Sequence, residues 1–229
     1  MNNQATVIDI ETEEDIFVLP YLHVKNSKGV KYFDVARIAT ELGAEASRFI
    51  TEHSRVLIVG YDGPNLSRDD HSYWQDFLTK WLAMGCSVEY LLLGAKEMPD
   101  SLFALQMAAV RVMSKGRKGS LVAHQVDPKK AQDREAVHFC ERWRTFHFAV
   151  FENPRQLWIE GCHRPGYIEA EDCLYFSPEA AEKLAMLDLL KKQFERFVKN
   201  YCKSTNVFEE IKKADMASTA KEFAVTAMV

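Results

Sequence analysis

The order of apolar and polar residues along this chain predicts strands and helices in regular succession. Continuous apolar runs, typical of buried parallel strands, occur at "RVLIVGY", "CSVEYLLLG" and "GSLVAHQVD". Between them lie "HSYWQDFLTKWLAMG", which Gly85 is placed to end, and "SLFALQMAAVRVMSKG", both with apolar residues at helical spacing. Strands that alternate with helices predict βαβ units, in which a parallel sheet is flanked by helices.

The pattern changes after position 127. A predicted helix, "PKKAQDREAVHFCERWR", precedes three short strands, "TFHFAVFE", "QLWIEG" and "DCLYFS", and the turn "NPRQ" closes a hairpin between the first two. One long helix follows in "SPEAAEKLAMLDLLKKQFERFVKNY", with Ser177 as its N-cap and Pro178 at its first position. The predicted fold class is therefore α/β: a mainly parallel central sheet with helices on both faces and an antiparallel hairpin region near residues 145–177.

The two ends of the chain complete the prediction. Strand patterns in "ATVIDIE", "IFVLPYLHV" and "VKYF" precede a helix in "FDVARIATELGAEASRFITEH". Beyond Tyr201 the pattern weakens to one further short helix. Because no internal repeat or flexible linker interrupts the chain, we expect a single α/β domain over residues 1–203 and a partly helical tail over residues 204–229.

Composition places this chain among globular proteins, with 47% apolar and 27% charged residues. No apolar run reaches the roughly 18 residues of a membrane span, and "MNNQATVIDIETEED" lacks a secretory pattern. Five cysteines without a C-x-x-C pair suit a reducing compartment, so a cytoplasmic location is expected. Six histidine and cysteine residues lie close together in the sequence: His138, Cys140, His147, Cys162, His163 and Cys173. Their spacing matches no familiar zinc-binding pattern, so no metal and no cofactor is predicted.

Charge adds one local candidate site to a chain whose net charge is −4. Basic residues between positions 111 and 134 form a candidate phosphate-binding set: Arg111, Lys115, Arg117, Lys118, Lys129, Lys130 and Arg134. Only Asp127 and Asp133 oppose them. If they bind phosphate, they should lie together at the carboxyl ends of the parallel strands, where open α/β sheets hold ligands. The alternative is a solvated helix end and loop, the usual role of a charge run.

A histidine between two phenylalanines opens the stretch "FHFAVFENPRQLWIEG". Strand alternation places Phe148 and Val150 on one face and His147, Ala149 and Phe151 on the other. Both faces are apolar, which predicts a buried His147 that is neutral near pH 7 and hydrogen-bonded.

The order of elements around His147 resembles a single domain of the phospholipase D-like superfamily, whose signature is H-x-K-x-x-x-x-D. In that family the histidine attacks phosphorus and the lysine holds the phosphate oxygens. His147 matches the nucleophile, but Ala149 stands at the lysine and Pro154 at the aspartate, and "EGCH" replaces the expected Gly-Ser turn. The resemblance implies a degenerate, non-catalytic relative that binds a protein partner or a phosphorylated ligand. It leaves open a phosphodiesterase that uses His147 across a homodimer, because this family needs two motif copies.

A second enzyme hypothesis starts from "VIDIETEED". Asp9 and Glu11 share one face of a strand, which resembles the Asp-x-Glu opening of the DEDD exonucleases, where carboxylates bind two metal ions. Asp62 or Asp69 would be the third carboxylate, and the late helix lacks the fourth. Nucleic acid therefore remains among the candidate partners.

Overall fold

A computed structural model describes residues 30–33, 43–60, 73–94, 100–113, 119–144, 146–161, 173–182 and 184–214. In these residues eight strands form one sheet, in the order β1-β7-β6-β5-β2-β3-β4-β8. The strands are β1 Val30–Phe33, β2 Arg55–Gly60, β3 Ser87–Leu92, β4 Ser120–Val126, β5 Phe146–Glu152, β6 Gln156–Gly161, β7 Cys173–Phe176 and β8 Cys202–Asn206. The helices are α1 Gly43–Ser47, α2 Tyr73–Met84, α3 Asp100–Met113, α4 Arg134–Arg142, α5 Pro178–Ala181, α6 Ala185–Tyr201 and α7 over 207–214.

The middle of the sheet is parallel. β2 pairs with β3 from Arg55↔Ser87 to Gly60↔Leu92, and β3 pairs with β4 in the same direction. These strands are the three apolar runs of the sequence, and burial on both faces explains why they show no polar alternation. Gly85 ends α2 with a φ of 100°, a left-handed conformation that glycine adopts without strain.

Antiparallel strands extend the sheet on both sides of the parallel unit. β5 pairs with β2, and β6, β7 and β1 follow by antiparallel pairing. On the other side β8 pairs with β4, from Val126↔Cys202 to Val122↔Asn206. The sheet therefore continues past residue 203, where the sequence placed the start of a tail.

Helices cover both faces of the sheet and form two apolar cores. On one face, here called the α2 face, α1, α2, α3 and α7 pack over the sheet through residues such as Trp81, Leu105 and Phe208. On the other, the α6 face, α4, α5 and α6 pack through residues such as Trp143, Leu190 and Phe194. The α/β fold with helices on both faces is confirmed.

The long helix predicted after Ser177 is divided in the structure. α5 ends at Ala181, and α6 begins at Ala185 after an extended Leu184 with φ −85° and ψ 102°. Arg155, in the β5–β6 turn, donates hydrogen bonds to the carbonyls of Ala181 and Leu184, both at 3.4 Å. A tertiary contact thus stabilises a break that helical periodicity cannot reveal.

None of the helices in the described ranges has the length and apolar character needed to cross a membrane. The predicted strands "ATVIDIE" and "IFVLPYLHV" lie outside the described residues.

Candidate functional site

A chain of hydrogen bonds crosses four neighbouring strands on the α6 face. Arg55 of β2 contacts Oε1 of Glu89 in β3 through Nε at 2.8 Å and through Nη2 at 2.7 Å. The other oxygen, Oε2 of Glu89, lies 3.1 Å from Nε2 of His124 in β4. Nδ1 of His124 lies 2.8 Å from Oγ of Ser204 in β8. We call these four residues the polar chain.

Strand register explains how these four side chains meet. Glu89 shares its face of β3 with Leu91, a member of the α6-face core, because residues two apart in a strand lie on the same side. His124 pairs directly with Ser204 across β4 and β8. Phe194 of α6 covers the imidazole with an edge contact at 5.7 Å between ring centroids. The His124 side chain is only 5% exposed, whereas Ser204, the last residue of the polar chain, is exposed.

The charge of Glu89 sets the direction of the hydrogen bonds. The hydrogen bond with His124 lowers the pKa of Glu89, and the Arg55 guanidinium lowers it further, although burial opposes both. Glu89 is therefore a carboxylate and accepts only, so Nε2 of His124 carries the proton in this contact. In the neutral ring Nδ1 then has a free lone pair, and the Ser204 hydroxyl donates to it.

The polar chain joins a wider ionic network at Arg55. Its Nη1 contacts Glu152 of β5 and Glu195 of α6, each at 3.0 Å, and Lys191 of α6 also donates to Glu152. Burial alone would lower the pKa of Arg55, but the hydrogen bonds with Glu89 and Glu195 outweigh it and raise this pKa. The network binds α6 to the strands beneath it.

A second polar group lies at the carboxyl end of β4. Oδ1 of Asp127 accepts from the backbone N–H of Lys129 at 3.0 Å and lies 3.3 Å from Nζ of Lys203. The hydrogen bond from the Lys129 N–H lowers the pKa of Asp127 most, and the Lys203 ammonium lowers it further. Nζ of Lys130 donates to the carbonyl oxygen of Asn200, near the C-terminus of α6, where cations are favourable. One lysine ammonium, that of Lys203, thus pairs with the Asp127 carboxylate, and Lys129 and Lys130 belong to the same turn.

The structure does not bring the whole predicted basic set together. Arg111 belongs to α3 over the α2 face and pairs with Asp76 at 3.6 Å, whereas Arg134 begins α4 over the α6 face. Lys115, Arg117 and Lys118 lie outside the described residues. One continuous patch from Arg111 to Arg134 therefore stays a prediction, although its two ends belong to helices on opposite faces of the sheet. Lys129 and Lys130 do lie at the carboxyl end of a parallel strand, as predicted.

His147 lies in β5, with its backbone in register with Glu160 of β6. Its side chain is outside the described part of the structure, so its burial stays a prediction. The neighbouring residues follow the predicted alternation: Ala149 packs into the α2-face core with Phe151, and Phe148 packs into the α6-face core. The start of β5 lies beside the carboxyl end of β2, since Phe148 pairs with Val59.

The carboxylates of the exonuclease hypothesis, Asp9, Glu11, Asp62 and Asp69, lie outside the described residues, so that hypothesis stays a prediction. Among the residues that are described, no group of three or more histidine, cysteine or acidic side chains is arranged to hold a metal ion.

Sequence reasoning missed the polar chain. A signal was present, because Glu89 and His124 are ionisable residues with apolar neighbours in the runs "CSVEYLLLG" and "GSLVAHQVD". A buried polar group needs a partner, which each could have supplied to the other across neighbouring strands. Ser204 gave no signal, since it lies in a polar segment that was placed in the tail.

Comparison with known proteins shows little similarity. No protein-family model and no curated protein matches this chain. Among solved structures, the chain is similar to TrmBL2, an archaeal chromatin protein whose structure shows a novel mode of DNA binding. The two share 11% sequence identity with a TM-score of 0.42, over 81% of this chain and 58% of that one. The chain therefore spans less than two thirds of that protein's length.

Proposed function

We propose that this protein is a binding module with a degenerate phospholipase D-like fold, that its phospholipase D-like site is not catalytic, and that its ligand is phosphorylated. The observation that carries the ligand class is the set of three lysines at the carboxyl end of β4: Lys203 pairs with Asp127, Lys129 donates its backbone N–H to Asp127, and the Lys130 ammonium lies at the C-terminus of α6. Open α/β sheets bind ligands at this end of their parallel strands, and phosphate oxygens require neutralising charge there.

The loss of catalysis is supported by Ala149. The family's lysine, which would hold the phosphate oxygens, is replaced by an alanine that is 1% exposed within the α2-face core. The family's aspartate is replaced by Pro154, which lies in the turn beyond β5. A phosphodiester transition state would therefore lack the charge that is usually a large part of catalysis. The alternative, a phosphodiesterase that uses His147 across a homodimer, would have to supply that charge from another source.

The experiment measures binding of inorganic pyrophosphate by calorimetry. We expect neutralisation of Lys129 and Lys203, as Lys129→Gln with Lys203→Gln, to weaken binding about tenfold or more and to reduce its salt dependence. Lys130 is left in place because it contacts the C-terminus of α6. The control is Lys212→Gln with Lys213→Gln on α7, which removes the same charge from exposed lysines elsewhere.

Three results would contradict the proposal. Equal binding by both double variants would show that the lysine group is a solvated surface. Hydrolysis of bis(4-nitrophenyl) phosphate that disappears in His147→Ala would show that the protein is a phosphodiesterase. Failure of the wild-type protein to bind pyrophosphate would favour a protein partner as the ligand.

A further inference from the structure

The polar chain ends on an exposed hydroxyl, and the order of its groups is that of a catalytic triad. A serine contacts a histidine at 2.8 Å, and the histidine contacts a carboxylate at 3.1 Å through its other nitrogen. Triads with this connectivity recur on unrelated folds, whatever the order of their residues in the chain. In this protein Nδ1 faces the serine and Nε2 faces the carboxylate, the reverse of the serine-protease arrangement. We propose that Ser204, His124 and Glu89 form a triad that transfers the acyl group of a carboxylic ester to the Ser204 hydroxyl.

Each residue has a role that follows from its contacts. Glu89 is held as a carboxylate by His124 and Arg55, so it fixes the ring with Nε2 protonated and leaves Nδ1 as the base. His124 is buried beneath Phe194, which orients the imidazole. Ser204 is exposed at the edge of the described sheet, where a substrate can approach. Arg55 acts only through Glu89 and is a positioning residue.

The acylation step can be written with these atoms. Oγ of Ser204 attacks the carbonyl carbon, and its proton moves to Nδ1 of His124. The new bond joins Oγ to that carbon, and the bond from the carbon to the alcohol oxygen breaks. His124 returns the proton to the departing alcohol. Water, activated in the same way, then hydrolyses the acyl-serine to a carboxylic acid and regenerates the hydroxyl.

The backbone at Ser204 offers a donor for the oxyanion. The N–H of Asp127 donates to the carbonyl of Tyr201, in the register that pairs β4 with β8. Because backbone bonding alternates along an antiparallel pair, Lys203 bonds to β4, whereas the N–H of Ser204 faces away from it. No strand in the described sheet lies beyond β8. That N–H therefore points away from β4, toward the edge of the described sheet.

These surroundings favour a carboxylic ester over a phosphate ester. Lys203, the cation next in sequence, lies on the opposite face of β8 and pairs with Asp127. A single backbone donor suits the one oxyanion of a tetrahedral intermediate, whereas a transferring phosphoryl group needs positive charge on several oxygens. The triad is thus distinct from the lysine group proposed to bind phosphate.

The experiment follows release of 4-nitrophenolate from 4-nitrophenyl acetate, with peptide mass mapping of the protein. We expect a burst of product and one acetyl group on Ser204. Ser204→Ala should abolish the burst, and Ser177→Ala is the matched control, because Ser177 makes no side-chain cap hydrogen bond. Glu89→Gln should lower kcat/KM for acylation about 100-fold or more, through the wrong tautomer of His124.

The folded state of each variant is checked by circular dichroism, and Ser204→Ala is an exposed change that leaves the cores intact. Acetylation confined to lysines, with the same burst in Ser204→Ala, would overturn the proposal. So would a folded wild-type protein whose Ser204 is never acetylated, which would leave the contact with His124 as a cross-strand hydrogen bond. Neither result depends on whether the protein binds pyrophosphate.

Discussion

At the scale of single residues, Ala149 is buried in the α2-face core. The proposed phospholipase D-like resemblance would place a lysine at this position. We expect Ala149→Lys to lower the free energy of unfolding by about 3–5 kcal/mol, because it buries an unpaired ammonium group. Urea unfolding measures this, with Ala44→Lys at an exposed position of α1 as the control. A stable Ala149→Lys protein that gained phosphodiesterase activity would show instead that this position can hold a lysine for phosphodiester chemistry.

His147 is the residue for which the sequence makes its sharpest remaining prediction. It lies in β5 opposite Glu160, between neighbours that pack on both faces of the sheet. We expect His147→Ala to lower the free energy of unfolding by roughly 1–3 kcal/mol, for a lost buried hydrogen bond and its packing. His53→Ala should change it little, since the His53 side chain is 82% exposed. Equal melting temperatures for His147→Ala and the wild type would contradict a buried His147.

Glu89 gives the polar chain a pH dependence. Its pKa is lowered in the folded protein, so the unfolded chain binds the proton more readily near its ordinary value of 4.5. The stabilisation is therefore complete above that value and is lost as the pH falls through the folded pKa. We expect Glu89→Gln to flatten the dependence of unfolding free energy on pH below about 4.5, as measured by urea unfolding across that range. An unchanged pH dependence in Glu89→Gln would show that other carboxylates, such as Asp188, cause the loss of stability in acid.

At the scale of elements, the α5–α6 break depends on one side chain from another part of the chain. Arg155 contacts both carboxylate oxygens of Asp188, at 2.9 and 3.1 Å, as well as the carbonyls of Ala181 and Leu184. We expect Arg155→Ala to lower the free energy of unfolding by about 1–2 kcal/mol, a modest value because the pair is half exposed. Thermal unfolding tests this against Lys192→Ala, which removes a charge near Asp188 without those contacts. Equal effects of the two variants would show that only charge matters there.

At the scale of the whole molecule, the C-terminal boundary decides whether the sheet is complete. β8 pairs with β4, and Val207 and Phe208 of α7 are fully buried in the α2-face core. We expect truncation after residue 203 to lower the free energy of unfolding by more than about 4 kcal/mol, because it removes part of β8 and two core side chains. Truncation after residue 214 retains every described element and is the control. Similar unfolding curves for the two truncated proteins would show that residues 204–214 add little to stability, as expected of a tail.

The sequence by itself determined the βαβ order, the apolar strands, the Gly85 helix end and the β5–β6 hairpin, because each depends on residues that are close in the chain. Only the tertiary structure decided the rest. The pairing of β8 with β4, the break after α5 and the separation of Arg111 from Arg134 all follow from contacts between distant segments. The polar chain is the clearest case: Arg55, Glu89, His124 and Ser204 are 34, 35 and 80 positions apart. They meet because strand order and register place them on one face, and no local pattern encodes either.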